Sequence, residues 1–164
     1  MPRLKTWKVC ALIWTLPLAL LACASEPELT PAVTSSTVCA STPPDMLGPY
    51  YKPDAPRREE VGQGYVLRGV VRSSVDCASV PEAQIEIWMA GPDGEYADEY
   101  RATLFADEQG AYHFESHFPP PYAGRPSHHH LRLSAPGYQT LVTQHYPQEG
   151  TVEAVFDLVL VPAP

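Results

Sequence analysis

From Gly64 onward the chain alternates apolar and polar residues in short runs, and the whole sequence carries nineteen prolines. A proline inside a helix removes a hydrogen bond and clashes with the preceding turn, at a cost of about 3 kcal/mol. Residues two apart on a strand share a face, so a period of two suits a sheet with one buried side. Six runs read as strands: 65–72, 83–90, 111–118, 127–134, 139–146 and 152–161. "GPDG" (91–94) and "DEQG" (107–110) place glycine where a reversal wants positive φ. With no amphipathic helical repeat and no internal repeat, the expectation is an all-β fold, a single β-sandwich domain.

The first residues have a different character. Arg3, Lys5 and Lys8 precede the apolar run "VCALIWTLPLALLA", which is too short and wrongly flanked to span a membrane and has the layout of a secretory signal. Its end, "LLAC" (20–23), resembles the lipobox of bacterial lipoproteins, which implies a leader over 1–22 and a lipid on Cys23. Ordinary cleavage after Ala22 or Ala24 is the alternative, and the position of the cysteine favours lipidation. The stretch 23–42 is rich in Ser, Thr, Pro and Ala and reads as a tether, leaving a domain over 43–164. The expected location is the bacterial cell envelope, outer membrane by the rule for residue 24, with attachment through the lipid.

Without the leader, eight basic residues stand against nineteen acidic ones, a formal charge of −11. No basic stripe remains for nucleic acid, so a small-molecule partner is expected. Cys39 and Cys77 are then an even pair in an oxidising compartment, which argues for one disulfide.

The chemistry concentrates in "PPPYAGRPSHHHLRLS" (119–134). On a strand His128 and His130 project together and His129 projects the other way, toward outer packing or solvent. Tyr122 lies just across a Pro and Gly bend. Two imidazoles with phenolate oxygens suit a hard, highly charged ion, and a phenol with an ordinary pKa of about 10 binds as phenolate only to a strong Lewis acid. Ferric iron fits that description.

Five ordered motifs, "TPPDMLGPYYKPDAPRR", "AQIEIWMAGPDGEY", "YRATLFADEQGAYHF", "PPPYAGRPSHHHLRL" and "LVTQHY", resemble those of the intradiol ring-cleavage dioxygenases, from about Thr42 to Tyr146. The resemblance implies a non-haem Fe(III) cofactor held by Tyr96, Tyr122, His128 and His130, with Tyr96 and His130 equatorial and Tyr122 and His128 axial. It implies that Arg125 stabilises charge developing on the substrate ring and that Gln144 lies behind a ligand and orients it. The activity implied is cleavage of a catechol-type aromatic by O2 to a muconate-type diacid. Ala102 stands where a glycine is common, His129 where an aliphatic residue is usual, and the link from Tyr122 to His128 is short, as in small exported members of the family.

Other residues carry two readings. Tyr50 and Tyr51 either line a substrate mouth or pack against the sandwich. His113 and His117, four apart on one run, are a second metal pair or, as the preferred reading, exposed strand residues; His145 reads as structural. The competing function is a lipid-anchored β-sandwich that binds metal or a catecholate without turnover. A structural envelope protein with incidental histidines is the third reading.

Overall fold

The computed structural model describes residues 38–164. The expected leader (1–22), the lipidation site Cys23 and most of the tether lie outside the described residues. Those described form eight strands: β1 (Tyr65–Ser73), β2 (Gln84–Met89), β3 (Arg101–Phe105), β4 (Ala111–Ser116), β5 (His129–Ser134), β6 (Leu141–His145), β7 (Glu153–Val155) and β8 (Leu158–Leu160). One 3-10 turn, Asp98–Tyr100, is the only helical element among them. The all-β expectation holds.

The first sheet runs β4-β1-β7, with β8 also paired to β1; the second runs β3-β2-β5-β6. Their inner faces share one core. Tyr65, Leu67, Val71, Tyr112, Phe114, Leu158 and Leu160 come from the first sheet, and Ile85, Ile87, Met89, Ala102, Leu104, Leu131 and Leu133 from the second.

Two elements depart from the alternation pattern. β3 was not among the six runs, because both of its faces are covered and Arg101 to Leu104 are all buried. Ala102 and Leu104 enter the core, while the chain at 55–58 lies along the strand: Thr103 N–H donates to the Pro56 carbonyl at 2.9 Å and Arg58 N–H to the Thr103 carbonyl at 3.1 Å. The run 152–161 breaks into β7 and β8. Phe156 N–H donates to the Arg68 carbonyl at 2.8 Å, and the Asp157 carboxylate then accepts from Val70 N–H at 2.9 Å in place of a backbone partner. The Phe156 carbonyl, which accepts from the Tyr112 hydroxyl at 2.6 Å, comes so close to Gly69 that a Cβ there would sit 2.3 Å from it. Only glycine permits this crossing.

His129 is a correction to the sequence reading. It is fully buried on the inner face of β5, stacked against Tyr65 with ring centroids 5.5 Å apart, and its Nε2 lies 3.2 Å from Ser116 Oγ. Directing His128 and His130 outward from this sheet sends the intervening side chain into the core, not to solvent. His145, opposite it in register, also faces inward and meets the Tyr65 hydroxyl at 2.7 Å.

Burial lowers the His145 pKa from 6.5 to about 4. Between those values the unfolded chain takes up a proton that the folded chain does not, so stability present above about pH 6.5 is lost as pH falls toward about 4. His129, lowered in the same direction by burial, adds to the slope. Urea midpoints should therefore be level above pH 6.5 and fall below it, and His145→Gln should flatten that fall relative to the parent.

Cys39 and Cys77 form a disulfide that closes a loop of 38 residues. It pins the start of the segment that covers the outer face of the second sheet. On the loop-entropy relation the bridge is worth about 4 kcal/mol. Replacing both cysteines by serine should lower the unfolding free energy by that order in a denaturant titration.

Candidate active site

The outer face of the second sheet carries the polar residues of β2, β5 and β6. Glu86 and Trp88, His130 and Arg132, and Gln144 lie side by side in register. The N-terminal segment from 42 to 58 covers them. Asp45 N–H donates to the Val142 carbonyl at 2.9 Å, the Thr143 hydroxyl to the Pro43 carbonyl at 2.9 Å and the Gln144 amide to the Met46 carbonyl at 2.6 Å. At Gly48 this strap turns through φ +74°, so close to His130 that a Cβ would lie 2.8 Å from the imidazole Cε1. Glycine is required there for both reasons. Trp88 stacks flat on the other side of His130, at 5.0 Å and 6°. The imidazole is thus clamped between an indole and the strap backbone.

Two loops complete the site. Tyr96 follows β2 on a turn closed by Gly91 N–H to the Glu95 carbonyl at 2.8 Å. Tyr122 and Arg125 face one another across a two-residue reversal, bonded in both directions at 3.1 and 2.8 Å, with Ala123 and Gly124 both at positive φ. That is the geometry of a type I′ hairpin turn, and it lets so short a link bring both side chains to the start of β5.

The donor atoms converge. His128 Nε2 lies 3.1 Å from His130 Nε2, and the Tyr96 hydroxyl lies 3.2 Å from the first and 3.4 Å from the second. His128 Nδ1 sits 2.7 Å from the Pro126 carbonyl, and only a protonated Nδ1 can bond there, which leaves the lone pair of the neutral ring on Nε2. The Tyr122 ring stands edge-on to Tyr96 at 5.2 Å, while its hydroxyl is hydrogen-bonded to that of Tyr50. Three of the four expected ligands therefore meet atom to atom, and the fourth is adjacent with its oxygen on Tyr50. Tyr50 also stacks on Tyr96 at 4.4 Å and lines the cavity, which decides its reading in favour of the mouth. Tyr51 instead bonds to buried Glu86 at 3.1 Å, and Glu86 pairs with Arg132 at 2.5 Å.

This donor set fits a metal ion. Donors bound at about 2.0–2.2 Å and at right angles lie about 3 Å apart, which is the spacing seen. Among the described residues no group of three or more His, Cys, Asp and Glu is placed to hold an ion, so the tyrosines are needed. Burial pushes the Tyr96 phenol up to about 12, and its bond to Tyr50 raises Tyr122. An ion that takes them as phenolates must therefore be a strong Lewis acid. Burial, reinforced by the neighbouring His128, holds His130 at about 4, so it stays neutral and available as a ligand well into the acid range.

Arg125 points its guanidinium at Gln144 Oε1 and at the Tyr146 hydroxyl, both at 2.7 Å. The Tyr146 hydroxyl also lies 2.9 Å from the Asp45 carboxylate. Gln144 thus bonds to Arg125 and the strap, not to an imidazole; it orients the cation. Tyr146, one residue past the end of β6, was not singled out in the sequence; its two-residue spacing from Gln144 was the signal that could have placed it beside that side chain. Arg101, which reaches the backbone of Tyr50 and Tyr96, had no such signal, because an arginine buried in a strand looks like any surface arginine. His113 is exposed on β4 opposite Arg68, whereas His117 lies beyond that strand, half-buried, with Nε2 3.1 Å from the Ala90 carbonyl.

Tyr50, Tyr96, Tyr122, Arg125, His128 and His130 line a cavity of about 260 Å³, walled also by Met46, Gly48, Pro49 and Ala123. A larger hollow of about 560 Å³ runs along Pro119, Pro120, Pro121 and Pro147, but its only ionisable lining residue is Glu149. The chemistry belongs to the smaller cavity.

The sandwich superimposes on the dioxygenase domain of a dioxygenase carbohydrate-binding protein fusion from Streptomyces sp. SirexAA-E with a TM-score of 0.68 and 27% identity, over 76% of this chain and all of that one. The fold is that of the intradiol ring-cleavage dioxygenases. An intradiol dioxygenase from Tetranychus urticae shares the same fold at TM-score 0.69 and 18% identity, over 76% of this chain and 96% of that one. Among sequence relatives, a chlorocatechol 1,2-dioxygenase of Cupriavidus pinatubonensis is 29% identical over 74% of this chain, and a catechol 1,2-dioxygenase of Candida albicans 30% identical over 71%. The chain spans 60% and 52% of the length of these two intradiol enzymes. No family model matches it.

Proposed function

We propose that the chain is an intradiol dioxygenase that binds non-haem Fe(III) through Tyr96, Tyr122, His128 and His130 and cleaves a catechol-type aromatic with O2, placing both oxygen atoms in a muconate-type diacid. The observation that carries this reading is the convergence of the Tyr96 oxygen and two imidazole nitrogens within 3.4 Å of one another beside a second tyrosine. Held by these four residues, ferric iron would supply Lewis acidity toward the substrate hydroxyls and the open-shell electrons that reaction with dioxygen requires.

The chain's own residues do the rest. Tyr96, His128 and His130 fix the centre from two loops and a strand. The Tyr122 oxygen is the base for a substrate hydroxyl, and the Tyr50 hydroxyl beside it holds the resulting phenol in place. Arg125, aimed by Gln144 and Tyr146, presents positive charge to the ring as negative charge builds on it. Met46, Pro49 and Ala123 exclude water from the ring faces. A cavity of about 260 Å³ with Arg125 as its one cationic lining group suits a single aromatic ring with small substituents.

The leader at 1–22, the lipid on Cys23, the tether at 23–42 and the domain at 43–164 belong to the same reading. On this proposal the enzyme belongs to the bacterial envelope and is attached to the membrane by its lipid, and its acidic charge favours a small-molecule partner over nucleic acid.

The test is to load the purified chain with ferric iron, record its visible spectrum, add catechol without oxygen, and then admit labelled O2. A tyrosinate-to-iron band that shifts with catechol, followed by a diacid carrying two labelled oxygens, is the expected result. Iron that binds and colours the protein without any diacid would leave the binding-module function in its place.

A further inference from the structure

We propose that Arg101 is a positioning residue that sets the geometry of both tyrosine ligands, an inference that rests on the ferric reading above. Arg101 opens β3 and is only 4% exposed. Its Nη1 donates to the Tyr50 carbonyl at 2.6 Å and its Nη2 to the Tyr96 carbonyl at 3.1 Å. One planar guanidinium therefore ties the strap to the loop that carries Tyr96. The side chains of those same two residues stack at 4.4 Å and 10°, and the Tyr50 hydroxyl meets that of Tyr122.

Burying an arginine is costly unless its charge and donors are met. Among the described residues the carboxylate paired with it is that of Asp98, which lies 3.3 Å from Nε, is mostly exposed and is also bonded to Lys52 at 2.6 Å. An ion pair of that kind does not account for the burial. The fork geometry does: two donors at fixed spacing reach two carbonyls from different parts of the chain, which a lysine ammonium on a flexible stem cannot hold in one plane. The arginine's own backbone is held in turn, since Arg58 donates to the Arg101 carbonyl through Nε at 2.8 Å and Nη2 at 2.6 Å. The chain Arg58, Arg101, Tyr50 and Tyr96 thus runs from the strap under the site to the ligand oxygen. Removing the fork frees the Tyr96 loop and the Tyr50 ring together, which changes the angle at which Tyr96 meets the two imidazoles and the place where the Tyr122 hydroxyl rests.

Arg101→Lys and Arg101→Met in the full chain test this, each compared with the parent for iron content, melting temperature, tyrosinate-to-iron spectrum, kcat and KM. The expected result is a displaced, weaker band at full iron content in both, with kcat down about tenfold to a hundredfold, KM changed less, and lysine nearer the parent than methionine. A role confined to holding the fold would lower the melting temperature and leave the band where it was, and that result overturns the proposal. If the methionine variant does not fold, the lysine variant alone decides by the same criterion. A parent that binds no iron and shows no band removes the dioxygenase reading and this inference with it; a coloured parent with unaltered variants removes this inference alone.

Discussion

His130→Ala is expected to abolish stable ferric iron binding and the visible tyrosinate band. The imidazole supplies one of three donors that sit within 3.4 Å of each other, and it is held by Trp88 on one face and Gly48 on the other. Loss of a residue that merely orients a ligand costs about 10–100-fold in metal affinity, and removal of the ligand itself should exceed that. Metal analysis after desalting, beside the visible spectrum, gives the result directly. The void against Trp88 will also lower stability, so the melting temperature of the iron-free form must be read in parallel. A folded variant that keeps full iron and full colour would show that His130 is not a ligand.

Arg125→Leu is expected to leave iron content and colour near those of the parent while kcat falls about 10²–10³-fold, the range for loss of one preorganised charge-stabilising donor. The arginine is anchored by Gln144 and Tyr146, at 2.7 Å each, so its charge is in place before substrate arrives and need not reorganise. Gln144→Leu removes one anchor and the strap bond to Met46 while leaving the cation, and its loss in kcat should be smaller. Steady-state kinetics of the iron-loaded variants measure both. An Arg125→Leu enzyme with unchanged kcat would remove the arginine from the chemistry.

Much of this site was legible in the residues. His128 and His130 share a face because they are two apart on a strand, and Tyr122 reads as near them across a Pro and Gly bend, which the structure makes a two-residue reversal at Ala123 and Gly124. Tyr96, by contrast, was reached only through the motif, since no local pattern marks a tyrosine after a turn as a ligand. The strap was the least legible part. Its residues 42–50 have no periodicity, yet they place Met46, Gly48, Pro49 and Tyr50 against the cavity. Their position is decided by hydrogen bonds to β6 and β8, whose strands begin about a hundred residues further along the chain.

What the sequence determined by itself was the class of fold, the face shared by two histidines and a set of phenols and imidazoles whose donor chemistry suits a hard ion. Those follow from local rules: the period of a strand, the exclusion of proline from helices and the softness of each donor. The tertiary structure alone decided that His129 is core, that β3 is covered on both sides, and that one run becomes β7 and β8 around Gly69. It also decided that Tyr50 belongs to the site and that Arg101 bridges two loops. Each of these depends on what covers the second face of a strand or receives a buried carbonyl. Such partners are distant in sequence, and no local pattern encodes them.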